Sequence, residues 1–108
     1  MSGPRTPEGI ITAQIRAVLN ILRVPHFKHY SSMGSAPGVP DLIGTLPGGR
    51  ALFIEVKVPG KKPRPDQAEF LENMRAAGAV AFYATSAGEA VWHLQDAGHE
   101  PAKRLKIG

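Results

Sequence analysis

The chain of 108 residues has no cysteine, which excludes a disulfide framework, a thiolate metal site and the small secreted folds that depend on either. It has no apolar run long enough to span a membrane and no secretory signal pattern, so the expectation is a soluble cytoplasmic domain. No internal repeat or low-complexity segment occurs. Gly60-Lys61 is no phosphate-binding P-loop, because Glu55 stands five residues before that glycine and no Ser or Thr follows the lysine. Four histidines are present without a convincing ligand spacing. His26 and His29 are three apart, which in an extended segment points them to opposite faces.

What the chain does have is a hairpin with charged residues at chosen places. Leu42, Ile43, Gly44, Thr45 and Leu46 form a short apolar run, Pro47-Gly48-Gly49 is strong turn punctuation, and residues 51–58 are β-branched and aromatic enough for the return strand. Alternation along that strand sends Phe53, Glu55 and Lys57 to one face and Leu52, Ile54, Val56 and Val58 to the other. Asp41, at the start of the first strand, comes near Glu55 across the pair. Opposed carboxylates repel unless a cation sits between them. Carboxylate and carbonyl oxygens are hard donors, so the expected cation is Mg²⁺ or Mn²⁺ rather than zinc. Asp41 and Glu55, with the backbone carbonyl of Val56, are the candidate ligands. Lys57 is placed to orient a nucleophile or to stabilise developing negative charge. An E-x-K pair alone is commonly a solvated ion pair. Preceded by Pro-Asp and a hairpin turn, it is the equipment of metal-dependent phosphodiester hydrolysis.

Helical periodicity supplies two further candidates. Across residues 65–77 the apolar positions are Phe70, Leu71, Met74 and Ala77, which puts Gln67 on the inward stripe, where a buried amide needs partners. Pro65 and Asp66 suit the first turn, and Gly78 suits the stop. Near the start, Thr6 is an N-cap with Pro7 at the first helical position, followed by the stripe Ile11, Ile15, Val18, Leu22. Glu8 extends that stripe toward the site, while also suiting the helix dipole as a first-turn acid, and Gln14 competes for the same role.

The remaining elements complete one domain over residues 1–108. Residues 27–31 read as a first strand and 80–85 as an apolar strand. Ser86-Ala87-Gly88-Glu89 reads as a capping box opening a helix to about Ala97 with the stripe Ala90, Val91, Leu94 and Ala97. Trp92 and His93 lie off that stripe, and Trp92 is read as a packing residue at the rim in preference to part of an interface. A chain of this length can bury about 65% of its unfolded surface in one core. Residues 99–108 form a basic tail expected to fray.

Net charge of +4 and a pI of about 9.8 favour a nucleic-acid partner without specifying sequence. The charges are placed near the proposed site: Lys61, Lys62 and Arg64 follow E-x-K, and Lys28 and His29 precede the irregular stretch 31–40 that leads to Asp41. Such loop lysines also serve plain solubility. The stretch before Asp41 is read as a mobile element that meets substrate.

Gly38-Val39-Pro40-Asp41-Leu42-Ile43-Gly44, then Phe53-Ile54-Glu55-Val56-Lys57, then Gln67, then Gly78-Ala79 before an apolar strand resembles the VRR-NUC branch of the PD-(D/E)xK nuclease superfamily. The likeness is to its small standalone members, many of them from phages and bacteria. It implies an α/β, restriction-endonuclease-like mixed central sheet flanked by helices, in the order α-β-β-β-α-β-α. It further implies that Asp41, Glu55 and Lys57 are catalytic, that Gln67 supports the site, and that a first-helix glutamate, here Glu8, completes it. The implied activity is a Mg²⁺- or Mn²⁺-dependent DNA endonuclease in the cytoplasm of a bacterial or phage-infected cell. Similarity of the small members to Holliday-junction resolvases implies a homodimer cutting branched DNA, because a four-way junction presents two symmetric strands. A general or flap-directed nuclease, and a catalytically silent DNA-binding module of the same fold, are the alternatives.

Overall fold

Pro-Gly punctuation and alternating strands give seven elements in the expected order: α1 (Pro7–Ile21), β1 (His26–Lys28), β2 (Leu42–Thr45), β3 (Ala51–Val56), α2 (Pro65–Ala76), β4 (Val80–Ala84) and α3 (Ala87–Asp96). The computed structural model describes residues 6–30 and 36–98. The strands lie in one sheet in the order β1-β2-β3-β4. The first three are antiparallel neighbours, and β4 runs parallel to β3 after the α2 crossover. Leu42 pairs with Ile54 and Ile43 with Phe53, while Glu55 pairs with Tyr83 on the other side.

Alternation along β3 divides the interior in two. Leu52, Ile54 and Val56 join Val80, Phe82 and Ala84 against Ile15, Leu19 and Leu22 of the first helical segment and Ala90 and Leu94 of α3. Apolar burial of this kind contributes about 1.5–3 kcal/mol per large side chain. The opposite face carries Phe53 and Glu55 under α2, where Phe53 meets Phe70 edge to face at 5.5 Å. Because helices cover both faces, β3 reads as a continuous apolar run interrupted only by the glutamate. Arg50, just after the hairpin turn, donates to the carbonyls of Gly78 at 3.1 Å and Ala97 at 3.2 Å, so one guanidinium ties the hairpin to the chain just beyond α2 and α3.

The structure differs from the sequence reading in several details. Strand β3 ends at Val56 rather than at residue 58. Lys57 N still donates to Ala84 O at 3.0 Å, but Pro59 has no N–H, and Lys61 N donates to Val58 O at 3.0 Å to close a turn with Gly60 at φ 90°. Proline then glycine at the two central positions is the type II pattern. Strand β1 covers His26–Lys28 rather than residues 27–31. Ser31 and the basic tail 99–108 lie outside the described residues. The inward stripe of α1 centres on Thr12, Ile15 and Leu19. Only Ile15 and the following Leu22 are fully buried among the four expected positions, with Ile11 and Val18 partly covered. Ser86 Oγ accepts from Glu89 N at 3.0 Å, but Glu89 returns to Thr85 N and Oγ1 at 2.6 and 2.9 Å rather than to the cap itself. Trp92 packs only by its edge at the rim. It is 59% exposed and touches His93 edge-on, with ring centroids 4.9 Å apart.

Candidate active site

Asp41 is fixed at the entrance to β2 from two directions. Its backbone carbonyl accepts from His29 N at 2.7 Å, and its Oδ2 accepts from Val56 N at 2.9 Å. The second bond satisfies the Val56 N–H, two residues beyond the last β2–β3 pair of Leu42 with Ile54. The loop before it is seated by Gly38, at φ 78°, where a Cβ would collide with the carbonyl of Asp66. A glycine there lets the loop touch the first turn of α2 and delivers Asp41 to the cleft.

Glu55 reaches the same cleft from β3 and is only 3% exposed. Its Oε2 accepts from Gln67 Nε2 at 3.0 Å and faces Lys57 Nζ at 3.5 Å. Gln67 is buried on the inward side of α2, as its stripe position requires. Its Oε1 accepts from Arg64 N at 2.9 Å, so the backbone donor fixes the amide and turns its NH₂ toward the carboxylate. Burial above all, and then the charge of Asp41, push the Glu55 carboxyl up to about 7, while Lys57 pulls it back. Among the described residues Oε1 of Glu55 and Oδ1 of Asp41 take no hydrogen bond. Each acid is anchored by one oxygen.

Glu8 closes the group. Thr6 Oγ1 caps α1 by accepting from Gly9 N at 2.9 Å, and Glu8 in that first turn continues the line Thr12, Ile15, Leu19 at spacings of four, three and four. One oxygen each from Glu8, Asp41 and Glu55 lies within 4.8 Å of the others. Gln14 is exposed and does not line this cleft. Three carboxylates so close, one of them buried and held partly protonated, are the donor set and electrostatic demand that a hard divalent cation meets. The residues therefore fit the metal that the motif implies.

The cleft, about 410 Å³, is bounded by the loop 36–39, Arg64 and Asp66 besides the groups above. The first turns of α1 and α2 both border it, so two positive helix ends lie beside an acidic pocket. The positive ends of helices suit phosphate as well as carboxylate. Sequence reasoning assigned Asp66 only to the helix dipole. Its place on the cleft wall depends on the fold of the 36–40 loop, for which Gly38 was the available signal.

The basic residues divide. Arg64 lines the cleft and pairs with Asp66 at 3.2 Å. Lys61 and Lys62 line a neighbouring groove instead. Lys28 Nζ sits 4.8 Å above the Tyr30 ring, away from the cleft lining. His29 lends its backbone N–H to Asp41, and its Nε2 is buried without a partner among the described residues. His26 is occupied structurally: its Nε2 accepts from Arg16 Nε at 3.3 Å, which leaves Nδ1 to donate to Val24 O at 2.9 Å.

A mixed sheet carrying Asp, E-x-K and a helix glutamine around one cleft defines a PD-(D/E)xK-type nuclease fold. The VRR-NUC domain family matches residues 7–88, which span every element from α1 into the start of α3, and the chain belongs to that family. A solved structure described as a VRR-NUC domain superposes with a TM-score of 0.69 at 32% identity, covering 84% of this chain and 96% of that one. A protein of Acyrthosiphon pisum secondary endosymbiont phage 1, named "Putative nuclease p44", is 53% identical over 30 residues. That match covers 28% of this chain and spans 32% of the phage protein's length.

Proposed function

We propose that this chain is a Mg²⁺- or Mn²⁺-dependent DNA endonuclease. The observation that carries the reading is the convergence of Glu8, Asp41 and Glu55 within 4.8 Å, beside Lys57 and under the amide of Gln67. Asp41 and Glu55 would hold the metal with Glu8. The carbonyl of Val56 adds a further oxygen, since a strand residue's C=O leaves the same edge as its N–H, and Val56 N–H points at Asp41. When bound, the cation supplies Lewis-acid polarisation of a phosphate oxygen and a more acidic water. The chain's own groups do the rest. Lys57 orients the attacking water and stabilises negative charge as the new P–O bond forms and the bridging P–O bond breaks. Gln67 keeps Glu55 turned into the cleft, and the first turns of α1 and α2 favour the anionic phosphate.

Branched DNA is the proposed substrate and a homodimer the proposed working form, on the likeness to small junction-resolving nucleases and the two-fold symmetry of a four-way junction. The basic balance of the chain supports a DNA partner. Labelled linear, flap and four-way junction DNA, each with Mg²⁺, Mn²⁺ or chelator, test these points beside Asp41→Ala and Lys57→Ala. The expected result is metal-dependent cleavage, strongest on branched DNA and lost in both variants. Binding without cleavage under any metal would overturn the enzyme reading. Cleavage untouched by Asp41→Ala would overturn the site, and a monomer at working concentration would remove symmetric junction resolution.

A further inference from the structure

Trp92, the chain's single tryptophan, stands 59% exposed on α3. It is not loosely held. Phe82 of the core stacks on His93 at 4.5 Å with ring planes 18° apart, and His93 in turn meets Trp92 edge-on at 4.9 Å. The indole is thus the outermost member of an aromatic ladder rooted in the core. It borders a groove of about 580 Å³ shared with His93, Tyr83, Thr85, Lys61 and Lys62. Glu89 also lies there, but its Oε1 is committed to Thr85 N and Oγ1.

The groove and the catalytic cleft take residues from adjacent strands of the sheet. Tyr83 pairs with Glu55 in the β3–β4 register, so both side chains rise from the same face of adjacent strands. The segment from Lys57 to Arg64, with its type II turn at Val58–Lys61, contributes to both hollows: Lys57 and Arg64 line the cleft, Lys61 and Lys62 the groove. A duplex presents its bases already stacked and leaves an exposed indole nothing to stack on. A single strand presents free base faces and a phosphate backbone, which a fixed aromatic platform flanked by lysines matches in both respects.

We propose that this groove is a binding site for single-stranded DNA, with an unpaired base stacked on Trp92 and the backbone held by Lys61 and Lys62. It rests on DNA as the substrate and favours, over a fully paired four-way junction, branched DNA with an unpaired arm.

The test is run in chelator, so that binding is read without chemistry. An oligothymidylate of about ten nucleotides should quench the fluorescence of Trp92 saturably, and a blunt hairpin duplex should not. Trp92→Ala should weaken binding of the labelled oligothymidylate, followed by polarisation, about five- to a hundredfold, with Trp92→Phe recovering most of it. Lys61→Ala with Lys62→Ala should lower the salt slope by about one to two. Bound oligothymidylate with no quenching, or unchanged affinity in Trp92→Ala, would overturn the proposal. Asp41→Ala in chelator should quench like the wild type. Quenching by a protein that cleaves nothing with metal would leave the groove standing and overturn only the nuclease reading, whereas Asp41-dependent cleavage without quenching would overturn the groove alone.

Discussion

Alternate residues of β3 occupy two interiors built on opposite rules. Leu52, Ile54 and Val56 are 0–1% exposed and belong to one apolar cluster with residues of α1 and α3. Glu55, one residue from Ile54, is 3% exposed and meets an amide, an ammonium and two other carboxylates. The dry side gains stability from contact and has no charge to satisfy. The polar side holds a carboxylate at the cost of its desolvation, offset in part by Gln67 and Lys57. Burial alone therefore does not mark what a residue contributes here. One face of the strand secures the fold, and the other is held in a costly state that suits cation binding.

The largest effect expected on stability separates the two faces at adjacent positions. Ile54→Ala should lower unfolding free energy by about 2–5 kcal/mol in a denaturant titration, the range for a buried large-to-small change, without altering any carboxylate. Glu55→Gln should act in the opposite direction. Glu55 ionises near its usual 4.5 when unfolded and at about 7 in the fold. Below about pH 4.5 both states keep the proton and it costs nothing. Between about 4.5 and 7 the folded chain binds more protons, so stability falls as pH rises by about 1.4 kcal/mol per unit, then levels off about 3 kcal/mol lower. Glu55→Gln should remove this decline: unfolding curves for the two proteins should coincide near pH 4 and separate by about 3 kcal/mol near pH 8, with the variant more stable and inactive. A variant less stable at both pH values would contradict the assignment of strain to this carboxylate.

Gln67→Leu should have a smaller effect, about 1–3 kcal/mol lost, because it leaves Arg64 N–H and one oxygen of Glu55 without their partner. The same change should move the Glu55 titration further upward, visible by carboxyl NMR. If stability held and the titration stayed in place, the amide would be ordinary helix-start polarity.

How much of this was legible in the sequence follows the same division. The hairpin was readable because Pro47-Gly48-Gly49 and strand alternation are local signals, and the seven elements came out in their observed order. The inward position of Gln67 was likewise readable from helical period. Other features depended on chain segments distant in sequence. Leu19 and Val18 both fit a helical stripe with Ile15, and only the packing of α1 on the sheet and α3 decides that Leu19 is the buried one. The bond from Val56 N to Asp41 spans fifteen residues and depends on the hairpin bringing the entrance of β2 beside the end of β3. Competition between Glu8 and Gln14 was beyond local pattern, since only the placement of α1 against the sheet brings Glu8 beside Asp41 and Glu55. How far Trp92 stands out was not legible for a related reason. A large aromatic is usually buried to a high degree, and nothing near it in sequence shows that His93 takes the inner position against Phe82.

Titration of Mn²⁺ into the purified protein near pH 8, followed by calorimetry, tests most directly whether the polar face of β3 is a cation site. One binding event per chain is expected, with a release of protons on binding that grows as the pH is lowered from 8 toward 7, abolished in Asp41→Asn and Glu55→Gln and weakened in Glu8→Gln. Equal binding by the wild type and Glu55→Gln, or no binding by a folded wild type, would contradict it.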